Sequence, residues 1–227
     1  MNVYIADVSP LKNADIFNGV YSSVSEIRRA KTDRLRFEKD RRLSLGVECL
    51  LMRACHDYGI NYEKELITVD SFMKPKFANL PIFFNLSHSE ERVMCVMSCH
   101  QVGCDVEKIT PMDYEIAEKY FSKPEFESLE SCETEADWEN AFFRYWTLKE
   151  SFLKCTGLGF RISPDEFSIS IGQSGITIEQ NAAPGSYRFD EAYLKDGYWY
   201  AWCVNTLGIE NYTDESQFSI VDLSEFG

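Results

Sequence analysis

No run of this sequence approaches the roughly 18 apolar residues that a membrane-crossing helix needs. The opening MNVYIADVSP has no basic stretch followed by an apolar one, so no secretory leader is expected. There is no C-x-x-C pair, which argues against a thioredoxin-like redox centre or a zinc ribbon. Neither G-x-x-x-x-G-K-[ST] nor G-x-G-x-x-G occurs, so any nucleotide is held by another architecture. The G-x-S-x-G elbow of serine hydrolases and the H-E-x-x-H helix of zinc proteases are missing as well. No linker, low-complexity tract or plain repeat divides the chain. Positive charge is scarce: 23 Lys and Arg stand against 37 Asp and Glu, a net charge of -14. Such a chain is poorly suited to a nucleic-acid backbone, where affinity comes largely from Lys and Arg. A local basic site for one small anion stays open.

What is present supports a folded enzyme-sized unit. The chain has 227 residues, 44% hydrophobic and 14% aromatic, enough for one ordinary domain or two small ones. Eight cysteines are spread along it. Cys95, Cys99, His100 and Cys104 are close in sequence and are the one place to weigh zinc. Val93, Cys95, Met97 and Cys99 alternate like strand residues, which favours reduced thiols facing a core. A soluble, cytoplasmic protein is the expectation.

Periodicity lays out an α+β order. VYIADV reads as a strand, and helix is expected from about Ser23. Leu43, Val47, Leu50, Leu51 and Ala54 recur at helical spacing, with Gly59 as a stop. ELITVDSF, PIFFNLS, RVMCVMSC and VGCDVEKI read as strands. DYEIAEKYF is helical, Ser122 caps a further helix with Pro124 in its first turn, and a long helix runs through ADWENAFFRYWTLKESFLKCT to Gly157. FSISI, ITIEQ, YRFDEAYL and YWYAWCV are strands, with Asp196–Gly197 marking a hairpin. The polar tail from about Thr206 shows little periodicity. Each half mixes strands with helix, which suggests two similar subdomains meeting near Gly103.

Several charged positions stand out. Asp105 and Glu107 are two apart in a strand and so share a face. They suit a hard divalent cation, or they are a solvated sheet edge. Glu150 and Lys154 are four apart on a helix, with Trp146 on the same face; this is either an ordinary surface pair or part of the same site. RRAKTDRLRFEKDRR packs eight Lys and Arg into an acidic chain, a solvated face or a cradle for a multiply charged anion. Ser87 and His88 end a strand, and Lys74–Pro75 is an extended dipeptide whose backbone could line a base.

The pair VGCDVEK and YWTLKESFLK resembles the two signature motifs of 4′-phosphopantetheinyl transferases, G-[IV]-D-x-E and W-[ST]-x-K-E-[SA]-x-x-K. RRLSLG, KP, FNLSHS and FSKPEFESL follow the order of the larger, surfactin-synthetase type of that family. The resemblance implies transfer of the phosphopantetheine arm of coenzyme A to a serine of an apo carrier protein, with 3′,5′-adenosine bisphosphate as the other product. It implies Asp105, Glu107 and Glu150 as ligands of Mg²⁺, with Mn²⁺ as an alternative, and Glu150 also as general base. Lys149 and Lys154 become pyrophosphate contacts. Ser87 and His88 become phosphate contacts, and Arg28, Lys31 and Arg42 contacts at the 3′-phosphate. Lys74 and Pro75 join the adenine pocket, and Tyr120, Phe121 and Phe126 dock the carrier. The implied fold is α+β: two similar subdomains, 1–103 and 104–227, related by a pseudo-twofold axis, with coenzyme A between them and a monomeric state. Cys104 stands where Ile or Val is common, and Met73 where Gly is frequent. A catalytically silent, carrier-binding homologue is the alternative; carriers of peptide, polyketide and fatty-acid synthesis are all open as partners.

Overall fold

In the computed structural model, residues 1–62, 67–69, 74–209, 212 and 216–226 are described, without the Phe160 side chain. The chain divides into two compact units: residues 1–70, 75–99 and 214–227 form one, and 71–74 with 100–213 the other.

The first unit is a sheet carrying a helix. Strands β1 (Asn2–Asp7), β4 (Phe83–Ser89) and β5 (Arg92–Ser98) are antiparallel neighbours, and β11 (Gln217–Ile220) adds to β1 in parallel. The tail expected in 104–227 therefore supplies an edge strand to the first unit. Only four residues of it form β11, exposed at Gln217, Phe218 and Ile220, so the pattern was too short and too one-sided to read. β2 (Ile67–Val69) and β3 (Pro75–Phe77) make a small ribbon; the rest of the ELITVDSF strand lies outside the described residues.

The helix expected from about Ser23 is preceded by one that sequence reading missed. α1 spans Ala14–Ser23, started by Asn13, whose side chain accepts from the Asp15 and Ile16 amides. Val24 is extended, and Ser25 caps α2 (Glu26–Asp33) by accepting from Arg28 N–H. Asn18 and Gly19 inside α1 blurred its period. α3 (Glu38–Asp57) lays Leu43, Val47, Leu50, Leu51 and Ala54 on the sheet residues Tyr4, Ala6, Val93, Cys95 and Met97. Gly59 follows it with φ of 67°, as a stop requires.

In the second unit β6 (Val102–Lys108), β10 (Tyr198–Asn205) and β9 (Tyr187–Tyr193) form an antiparallel sheet. β7 (Ser168–Gly172) and β8 (Gly175–Glu179) pair separately. α4 (Tyr114–Tyr120) and α5 (Lys123–Glu130) lead to α6 (Glu135–Thr156), which Thr134 caps and left-handed Gly157 ends. Leu148, Phe152 and Cys155 of α6 enter a core with Ala201 and Cys203 of β10. Each fully buried Phe there contributes roughly 1.5–3 kcal/mol. Thus each unit sets one helix of about 20 residues on a mainly antiparallel sheet.

Six cysteines are buried as free thiols, but Cys99 is exposed, against the expectation of a core position. It falls one residue past the end of β5, where the alternation no longer holds. No helix among the described residues is long and apolar enough to cross a membrane.

Candidate functional site

The second unit brings β6 and α6 unusually close. A Cβ placed on Gly103 would lie 2.1 Å from the Ser151 carbonyl oxygen and 2.2 Å from the Cys155 nitrogen, both backbone atoms of α6. Only glycine permits that approach. Two residues on, Asp105 is thereby set beneath the helix, and Lys154 Nζ reaches its Oδ1 at 2.5 Å. Asp105 is 2% exposed, so this ion pair is poorly screened on its acidic side.

Glu150 stands one turn before Lys154 on α6. Burial holds its carboxyl above the usual range, the charge of Asp105 pushes the same way, and Lys154 opposes both. Burial works to lower the Lys154 ammonium, but Asp105 and the charges near it outweigh that and hold it up. Two carboxylates and one lysine are therefore electrostatically coupled. Glu107 shares the β6 face with Asp105 and is half-buried. Among the described residues no group of three His, Cys, Asp or Glu side chains stands close enough to hold a metal ion, and of the expected trio Asp105 and Glu150 are the two whose charges are felt together. Lys154 takes the counter-ion position on Asp105.

Lys149 departs from expectation entirely. Its side chain is 1% exposed and donates to both oxygens of Glu125, at 2.7 and 2.6 Å, and to the Phe167 carbonyl at 2.9 Å. Phe167 also lies beneath the ammonium, 4.3 Å from ring centroid to nitrogen. All three of its protons are spent, so it is not a pyrophosphate contact. Glu125 in turn accepts from Ser122 N–H at 2.8 Å and Ile169 N–H at 2.6 Å, which joins α5, α6 and β7. Sequence reading missed Glu125, although Ser122 and Glu125 have capping-box spacing.

The Lys74 side chain is engaged within the second unit, which leaves the expected backbone contact to an adenine untouched. Its ammonium donates to the carbonyls of Val102, Lys154 and Cys155 at 2.7, 2.6 and 3.2 Å. Pro75 is an exposed residue at the start of β3.

The first unit holds a cavity of about 230 Å³ lined by Arg28 and Lys31 of α2, by Asp40, Leu43, Ser44 and Val47 of α3, and by His88 of β4. Arg28 is ion-paired with buried Glu48 at 2.5 Å, and Glu48 also accepts from the Tyr62 hydroxyl at 2.5 Å. Burial lowers the proton affinity of Lys31, and the charge of Arg28 adds to it. Ser87, buried, points to the opposite face of β4 from His88, so the two do not meet one anion from the same face. Arg42 lines a separate cavity of about 200 Å³ with Lys12, Phe17 and Arg41. The spacing of the eight basic residues showed a charged face but not this division.

Of the aromatic docking set, Phe121 is 4% exposed and packs on Phe142 at 5.1 Å between centroids, so it belongs to the core. Tyr120 and Phe126 stay half-exposed at its margin, against Trp146 and Tyr114.

The sequence model of the 4'-phosphopantetheinyl transferase superfamily matches residues 101–203. Among characterised sequences, the 4'-phosphopantetheinyl transferase psf-1 of Bacillus pumilus is 33% identical over 204 residues, 85% of this chain and 87% of that protein. The 4'-phosphopantetheinyl transferase Sfp of Bacillus subtilis (strain 168) is 31% identical over 161 residues, 70% of this chain and 71% of that protein. Among solved structures, a holo-(acyl-carrier-protein) synthase of Bacillus anthracis in complex with CoA aligns at 14% identity and a TM-score of 0.42. That alignment takes in 46% of this chain and 94% of the other.

Proposed function

This chain belongs to the 4′-phosphopantetheinyl transferase superfamily, and from that membership we propose its substrates and the roles of its residues. The donor is coenzyme A and the acceptor is a serine hydroxyl of an apo carrier protein. The observation that carries this reading is the coupled Asp105–Lys154–Glu150 cluster between β6 and α6.

The serine oxygen attacks the phosphorus bearing the pantetheine arm. The bond from that phosphorus to the bridging oxygen breaks, and 3′,5′-adenosine bisphosphate leaves with the electron pair. A serine hydroxyl is a poor nucleophile until a base takes its proton, and in this reading Glu150 takes it. Lys154 Nζ, already at the cluster, donates to a phosphate oxygen as charge gathers there. Asp105, Glu107 and Glu150 offer hard oxygen donors from one strand face and one helix face, which fits Mg²⁺ better than a softer metal. Bound there, the dication would supply charge neutralisation on the pyrophosphate. In the first unit, Lys31, Arg28 and His88 take the 3′-phosphate, with Glu48 steadying Arg28.

Mixing the protein with coenzyme A, Mg²⁺ and an apo carrier, then weighing the carrier, tests the reaction. A gain of one phosphopantetheine is expected; binding of the carrier without that gain would leave only the silent-homologue reading. Lys31→Met is expected to raise KM for coenzyme A about tenfold and to leave KM for 3′-dephospho-coenzyme A unchanged, in line with loss of one charged hydrogen bond. Equal effects on both substrates would remove Lys31 from the 3′-phosphate.

We place carrier docking on Tyr120 and Phe126. Carriers are commonly acidic, and this chain has a net charge of -14, so apolar contact outweighs long-range attraction. KM for the carrier is expected to change little between low and moderate salt; a steep rise with salt would count against this surface. Carriers of peptide or polyketide synthesis, a monomeric state and a reducing cytoplasm complete the reading, the last supported by eight free thiols.

A further inference from the structure

The Lys74 side chain ties together two elements of the second unit. Its three hydrogen bonds run to both sides of the narrow β6–α6 junction: to Val102 at the start of β6, and to Lys154 and Cys155 in the last turn of α6. The last carbonyls of a helix have no partner within it, and they carry its negative end. An ammonium there satisfies two of them at once. Val102 adjoins Gly103, where strand and helix backbones all but touch. Asp105 lies three residues along the same strand, and Lys154 presents both the carbonyl that Lys74 holds and the ammonium that pairs with Asp105.

We propose that Lys74 is a positioning residue for catalysis: its ammonium staples the start of β6 to the end of α6 and so fixes Asp105, Glu150 and Lys154 relative to one another. This inference rests on the reading of that cluster as the reacting centre. It gives the Lys74 side chain a part in the geometry of the transition state. Loss of the staple lets the last turn of α6 fray and Lys154 drift from Asp105. Substrate binding in the first unit's cavity does not involve it.

The two roles separate kinetically. For Lys74→Met, we expect kcat to fall about 10–100-fold, the range found when a group that orients catalytic residues is removed. The Kd for 3′,5′-adenosine bisphosphate, measured by calorimetry on the folded variant, is expected to stay within about twofold of wild type, because the pocket of Arg28, Lys31 and His88 is intact. Amide exchange near residues 154–157 is expected to quicken at unchanged far-UV circular dichroism. Lys74→Arg, which keeps the charge and several donors, is expected to recover part of kcat. The proposal is overturned if Lys74→Met raises the Kd for the bisphosphate tenfold with kcat unchanged, or if kcat and helix exchange both stay at wild-type values. Should Lys74→Met not fold, Lys74→Arg with the same two readouts decides: slower turnover at unchanged Kd supports the staple, and weaker binding at unchanged turnover rejects it. A wild-type protein that transfers no phosphopantetheine would instead remove the reading of the site itself.

Discussion

Asp105→Ala is expected to reduce phosphopantetheine transfer by on the order of 10³ while the protein still folds. Asp105 is nearly buried and its Oδ1 is held by Lys154. Removing it takes away one of three carboxylates proposed for the metal and releases the lysine proposed for the phosphate. A metal contributes several kcal/mol of transition-state stabilisation, and each 1.36 kcal/mol is a factor of ten in rate. Glu150→Gln is expected to fall as far, because it removes a ligand and the base together. The two should not add when combined, since residues acting as a unit lose most of their effect at the first deletion. Carrier mass measured over time gives the rates, and far-UV circular dichroism checks the fold. Calorimetric titration of Mg²⁺ onto the protein with adenosine bisphosphate present gives a second readout. Wild-type turnover in either variant would detach the carboxylates from the chemistry.

Lys149→Met is expected to act on stability rather than substrate binding. The pair Lys149–Glu125 is buried on both sides, at 1% and 0% side-chain exposure. Removing one member of such a pair strands the other charge, which costs about 3–5 kcal/mol. For a chain of this size that corresponds to a melting temperature lower by roughly 6–20 °C. Glu125 keeps the Ser122 and Ile169 amides as donors, so some of its charge is still met. Adding Glu125→Gln should therefore return part of the loss. An unchanged melting temperature together with a higher KM for coenzyme A would restore Lys149 to the substrate.

The contrast between these lysines shows how far the sequence could be read. Lys149 and Lys154 stand in one ten-residue motif, and both were expected at the pyrophosphate. Helix periodicity places them on different faces, since five residues is not a whole number of turns. Spacing alone could not say which face met the core; Glu125, 24 residues away, decides that. Asp105 and Glu150 were legible because strand and helix periods fix which residues share a face. Their approach across Gly103 depends on β6 packing on α6, a contact between segments about 45 residues apart that no local pattern records. The strands of the second unit and α6 were legible from long, regular patterns. α1 and β11 were not: one carries Asn18 and Gly19 within it, and the other is four residues long.

β11 also orders events during synthesis. The second unit is complete in sequence once residue 213 has been made. The first unit still lacks the strand that pairs with Asn2–Ile5 until residues 217–220 emerge. One side of β1 thus waits open while the residues between 5 and 217 are translated, an interval in which unpaired strand edges invite aggregation. Of the two units, the one begun first is the last to close.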